Sequence, residues 1–107
     1  MYGKRFQKEL DIIDKALTDK RGEEELRLYL NDSVAFIADV YIKENDLSSF
    51  SRDELMTAAW TYLPMALKRY RGRADQMLQG KNDVFYFITY FNWFIRQGIL
   101  EYVNNRS

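Results

Sequence analysis

Apolar residues recur along this chain with the period of an α-helix, and no stretch sustains the strict alternation of a half-buried strand. Phe6, Leu10, Ile13 and Leu17 lie four, three and four residues apart, which makes one stripe on a helix from about Lys4 to Lys20. Arg21-Gly22 reads as its end, glycine being common just past a helix C-terminus. The acidic run Glu23-Glu24-Glu25 suits the positive end of a second helix dipole, and Leu26, Leu30, Val34, Ile37 and Tyr41 form that helix's inward stripe. Asn45-Asp46 and Ser48-Ser49 then break it.

The third start is the best marked. Ser51-Arg52-Asp53-Glu54 spells a capping box, in which the serine and the glutamate three residues later each satisfy an orphan amide. Leu55, Ala59, Tyr62, Ala66 and Tyr70 give a core stripe, while Met56, Trp60, Leu63 and Leu67 give a second apolar stripe about one position around. Such a helix needs two apolar partners. Pro64 removes a backbone donor and predicts a bend or break. From Arg71 to Lys81 the chain is basic and polar with Gly72 and Gly80, which reads as a loop with about one turn of helix. Asn82-Asp83 are good N-caps for a last helix reaching about Val103. The expected class is all-α, one compact domain of about four helices: a lead-in helix within 1–21, helices over 23–44 and 51–70, a basic loop over 71–82, and a helix over 83–104.

A length of 107 residues, 47% of them hydrophobic, supports one such domain and not two. The absence of cysteine and histidine excludes disulfides, thiolate or imidazole metal sites, and Ser-His or Cys-His chemistry. Carboxylates remain as acid-base groups, yet no pair of them stands in an apolar segment, so neither an enzyme, a metal site nor a cofactor is expected. The uncharged run Val84 to Ile95 has twelve residues and Leu55 to Leu67 has thirteen, against the roughly 20 a membrane span needs. With no signal-like segment at the start, the expectation is a soluble cytoplasmic protein.

Net charge is zero, but unevenly spread. Residues 9–54 carry thirteen acids against six bases, and residues 55–107 carry seven bases against three acids. Lys68, Arg69, Arg71, Arg73 and Lys81 cluster with Asp75 alone opposing them, so a polyanion would be met there first; the plainer alternative is a solvated basic loop.

Between Phe85 and Phe94, seven of ten residues are aromatic. Phe87, Phe91, Phe94 and Ile95 share a helix side and read as core, while Tyr86, Tyr90, Trp93 and Gln97 share another on which every side chain carries a polar group. Aromatic faces beside arginine and lysine are what single-stranded bases stack on, and Gln97 adds an amide able to read a base edge. The alternative is a helix buried all round whose tyrosine hydroxyls find internal partners.

The segment Phe87-Ile88-Thr89-Tyr90-Phe91-Asn92-Trp93-Phe94-Ile95-Arg96-Gln97-Gly98-Ile99 resembles the pattern F-x-T-Y-x-x-W-W-I-R-Q-x-I of bacterial RNA polymerase sigma factors, in their conserved region two. Glu54-Leu55-Met56 through Ala66-Leu67-Lys68-Arg69-Tyr70 is similar to the preceding family helix, D-L-I-Q-E-G-N-I-G-L-M-x-A-V-x-K-F, and Ile37-Ala38-Asp39-Val40-Tyr41 resembles I-A-x-x-Y one helix earlier. The likeness spans about Leu26 to Val103. It implies a four-helix domain that binds the clamp coiled coil of core RNA polymerase and opens the minus-ten promoter element, holding the nontemplate DNA strand single with an adenine flipped out.

By position, the resemblance makes Tyr90 the ring that replaces the lost stacking partner, and Trp93 with Phe94 the aromatic pair at the upstream edge of the bubble. Gln97 would touch the last paired step, and Tyr70, Arg71 and Thr89 would line the pocket of the flipped base. Arg73, Tyr86 and Arg96 complete the DNA-binding set. Glu54, Met56, Thr57, Ala58, Trp60 and Leu63 stand at the polymerase-binding helix. The chain departs from the pattern at Thr57, Ala58 and Trp60, where the family is polar, at Phe94 for a second tryptophan, and at Leu100 and Glu101 for threonine and arginine. The segment from Arg71 to Tyr86 is longer than the family spacing. The alternative implied by these departures is a sigma mimic that binds polymerase or an anti-sigma factor without opening DNA.

Overall fold

The computed structural model describes residues 3–106, which form five α-helices and no strand: α1 (Lys4–Thr18), α2 (Lys20–Glu44), α3 (Arg52–Ala59), α4 (Leu63–Leu78) and α5 (Phe87–Arg106). α5 packs against α2, α3 and α4, while α1 lies along α2 and reaches α4. Most of the stripes expected from the periodicity form one core, in which Phe6, Leu10, Ile13, Leu26, Leu30 and Val34 join Leu55, Ala66, Tyr70, Phe87, Phe91 and Ile95; Ile37, Tyr41 and Tyr62 of the expected stripes are only half-buried against it, while Leu63 and Leu67 are taken in as well. Leu17 is the exception in its stripe, at the exposed end of α1.

Four boundaries differ from the sequence expectation, each for a local reason. Gly22 does not end α1; it lies in the first turn of α2, which Asp19 caps by accepting from the Arg21 amide at 2.8 Å. A Cβ at Gly22 would sit 2.4 Å from the Lys15 carbonyl oxygen, so the glycine serves the close approach of α2 to the end of α1. The expected helix over 51–70 is two helices. It opens with the capping box at Ser51 and Glu54, stops at Trp60, and resumes at Leu63 with Pro64 in the first turn, where a missing amide is no loss.

The expected basic loop over 71–82 is mostly helix. α4 runs on to Leu78 because Leu63, Ala66, Leu67, Tyr70, Ala74 and Met77 continue one buried stripe straight through the basic residues. Arg71 and Asp75 add an i,i+4 ion pair, and Gly80, with φ of 74°, turns the chain out of the helix. Residues 83–86 are then irregular, so α5 starts at Phe87 and Asn82-Asp83 do not cap it; the Asn82 amide instead donates to the Gln76 side chain. Among the described residues no helix is long and apolar enough to cross a membrane.

Candidate nucleic-acid interface

The start of α5 rests on a buried aromatic pillar. Tyr70 is fully buried; its hydroxyl donates to the Phe85 carbonyl at 2.5 Å, and the rings of Phe85, Phe87 and Tyr90 surround it with centroids 5.6, 5.3 and 5.9 Å away. Burial pushes the Tyr70 phenol far above its ordinary range, so it stays a proton donor. Phe94 is also buried, beneath Tyr90 and edge-on to Trp93. Both residues therefore support the surface and present little of their own.

The accessible layer lies above them. Tyr86 and Tyr90 are half-buried, Thr89 and Arg96 are exposed, and Trp93 is 57% exposed. The Arg5 guanidinium lies 3.8 Å over the Tyr86 ring, and Arg73 lies 5.6 Å from that of Tyr90. Gln97 is half-buried and donates to Glu101 at 3.0 Å; Glu101 also accepts from the Tyr62 hydroxyl at 2.5 Å, and these bonds hold its carboxyl below the usual range. The amide of Gln97 thus already has an internal partner.

Arg71 is the clearest change to the nominated set. Its guanidinium is held by Asp14 of α1 at 2.6 Å and by Asp75 at 2.8 Å, and the Asp14 hydrogen bond raises its pKa further. Its charge is spent on fastening α1 to α4. Exposed cations near the aromatic layer are supplied by Arg73 on α4 and by Arg5 on α1, and the latter was not nominated from sequence. No local motif in α1 signals that role, because it depends on α1 docking next to residue 86.

The nominated polymerase-binding residues divide between core and surface. Leu63 is fully buried and Ala58 nearly so, which removes both side chains from any external contact. Trp60 is half-buried, its ring 6.1 Å from Phe91 and beneath Arg27 at 5.0 Å. Met56 packs partly on the core, and Glu54 is engaged by the Ser51 amide and the Tyr102 hydroxyl. Thr57 is exposed, its hydroxyl donating to the Asp53 carbonyl.

Comparison of the chain with family models, curated proteins and solved structures finds no match. Beside the aromatic layer lies a second exposed apolar surface. Phe36 (71% exposed) and Val40 on α2 lie across a shallow hollow from Asn92 and Arg96, and a neighbouring hollow joins Tyr41 to Trp93 and Leu100. Phe36 and Leu28 fall outside the inward stripe of α2, which is the one sequence signal for their exposure. Among the described residues no group of three or more acidic side chains is arranged to hold a metal ion.

Proposed function

We propose that this domain is a divergent sigma-factor region two that binds core RNA polymerase and captures the nontemplate strand of the minus-ten element, acting in the cytoplasm as a transcription initiation protein and not as an enzyme. The observation that supports this best is the exposed layer of α5. Thr89, Tyr90, Trp93 and Arg96, the fixed positions of the family pattern that face outward, share one surface with Arg5 and Arg73 and are underlain by buried Tyr70 and Phe94. Stacking on such rings contributes about 1–3 kcal/mol per base, enough to offset flipping one base from a strand being opened.

The second reading is a sigma mimic that binds polymerase or an anti-sigma factor without opening DNA. It is favoured by the neutralised Arg71 and by Gln97 bonded to Glu101, since each withdraws a nominated DNA contact. The test is binding of a labelled nontemplate oligonucleotide at stated salt, by the chain alone and with core polymerase, against a scrambled strand and the duplex. The promoter reading expects preference for the matched single strand and loss of that preference in Tyr90→Ala. Equal binding of matched and scrambled strands with polymerase present leaves the mimic reading in its place.

A further inference from the structure

Helix α5 begins without a local cap. The carbonyl of Tyr86 accepts the first helical bonds, from Thr89 and Tyr90, so Tyr86 holds the N-cap position, and its side chain is not one of the short oxygen-bearing groups that satisfy first-turn amides. The missing acceptor comes from the other end of the chain. Both carboxylate oxygens of Glu9, on α1, lie 3.2 and 3.3 Å from the Phe87 amide, a bond across 78 positions of sequence. Glu9 is 2% exposed, flanked in the core by Phe6, Leu10 and Ile13. Packing alone would be served by an apolar residue there, and burying a carboxylate works against stability.

We infer that Glu9 is a positioning residue for the aromatic surface: it caps α5 from α1 and, with Arg5 one turn earlier over the Tyr86 ring, fixes Tyr86 and Tyr90 relative to each other. A negative group at a helix N-terminus suits the helix dipole as well as the orphan amide. Arg5 and Glu9 sit four residues apart on one helix, so they grip two consecutive residues, the ring of Tyr86 and the amide of Phe87. Without that grip the first turn of α5 has its amide unsatisfied and frays, and the rings flanking it lose their fixed spacing. The inference rests on the proposed strand-binding role for its functional consequence, but its structural part stands by itself.

The test compares Glu9→Leu, which fills the space without an acceptor, with Glu9→Gln, which keeps an acceptor oxygen, in the full chain. Hydrogen exchange at the Phe87 amide should accelerate about tenfold in Glu9→Leu and return toward wild type in Glu9→Gln. Affinity for the matched nontemplate oligonucleotide should fall about fivefold in the first and recover in the second. Ile13→Val, a core change on the same helix, serves as the stability control and should lower the melting temperature without moving the affinity. Unchanged Phe87 protection in Glu9→Leu overturns the inference, as does an affinity loss that Glu9→Gln fails to recover. Should the wild type itself not distinguish the matched strand, the promoter reading fails, while Phe87 exchange and the Arg5–Tyr86 contact still decide whether Glu9 holds the helix.

Discussion

Two surfaces of this domain begin from the same sequence signal, an apolar stripe beyond the one a single core contact can use, and the fold disposes of them differently. The stripe Met56, Trp60, Leu63 and Leu67 is taken inside: the break at Trp60 to Tyr62 swings α4 so that Leu63 and Leu67 enter the core, and Trp60 settles against Phe91. The stripe around Trp93 stays outside, with Phe36, Val40 and Leu100 left accessible beside it and Arg96 among them. An excess of apolar residues on a helix thus says only that a second contact exists. A helix break supplies that contact internally, and an unbroken 20-residue helix such as α5 leaves the stripe exposed.

Leu63→Ala breaks the covered side and carries the largest expected effect. Leu63 is fully buried at the first turn of α4, so truncation should cost about 2–5 kcal/mol, read as a shift in the urea unfolding midpoint. If Leu63→Ala unfolds like wild type but weakens polymerase binding, the stripe is an interface after all and the comparison collapses.

Gly98→Ala comes next, because it probes how closely the covered face is fitted. A Cβ at Gly98 would stand 2.4 Å from the Ala58 carbonyl oxygen, where α5 crosses α3. Overpacking of this kind should cost about 1–3 kcal/mol, measurable by thermal unfolding. The residue also shows what sequence patterns leave hidden. Gly98 sits among strong helix formers, and nothing local marks it as a crossing point.

The same distinction governs how much of the fold was legible. The inward stripes of α1, α2 and α5 and the capping box of α3 could be read because they are local and periodic. The continuation of α4 through Arg71 to Leu78 was missed because charge and two glycines outweighed Ala74 and Met77 in the pattern, although the buried spacing was present. Of the candidate site, the ring-bearing face of α5 was legible, whereas the neutralisation of Arg71 by Asp14, the approach of Arg5 to Tyr86 and the capping by Glu9 were not. All three join α1 to residues at least 57 positions away, and no window of sequence contains both partners.

Trp60→Ala and Trp93→Ala separate the covered surface from the exposed one. Trp60, half-buried against Phe91, should lose about 2 kcal/mol on truncation, whereas Trp93 should change stability by no more than about 0.5 kcal/mol. Binding should sort them in the opposite order, with Trp93→Ala weakening the nontemplate strand and Trp60→Ala sparing it. Calorimetric unfolding and oligonucleotide titration of the two variants give both readouts.

The smallest effect concerns how the covered face is fastened, and its sign with pH follows from the carboxylates involved. Glu101 accepts from Tyr62 and Glu54 from Tyr102, at 2.5 and 2.6 Å, bonds that tie the α3–α4 junction and the first turn of α3, respectively, to α5 and hold both carboxyls below the ordinary range. Asp39 is likewise lowered by its hydrogen bond from Arg52. A lowered folded-state pKa means stability that is present above the unfolded value, 4.5 for glutamate and 3.8 for aspartate, and is lost as pH falls through the folded value. Glu9 acts in the other direction: burial raises its pKa, so its contribution is present below the unfolded value and lost as pH rises through the folded one. The two terms separate by substitution. Tyr62→Phe with Tyr102→Phe should reduce the loss of stability on the acid side, and Glu9→Gln should remove the loss on the side toward neutrality, each followed by unfolding midpoints between about pH 3 and 7. An acid limb unchanged in the double phenylalanine variant would mean that apolar burial alone holds the covered face.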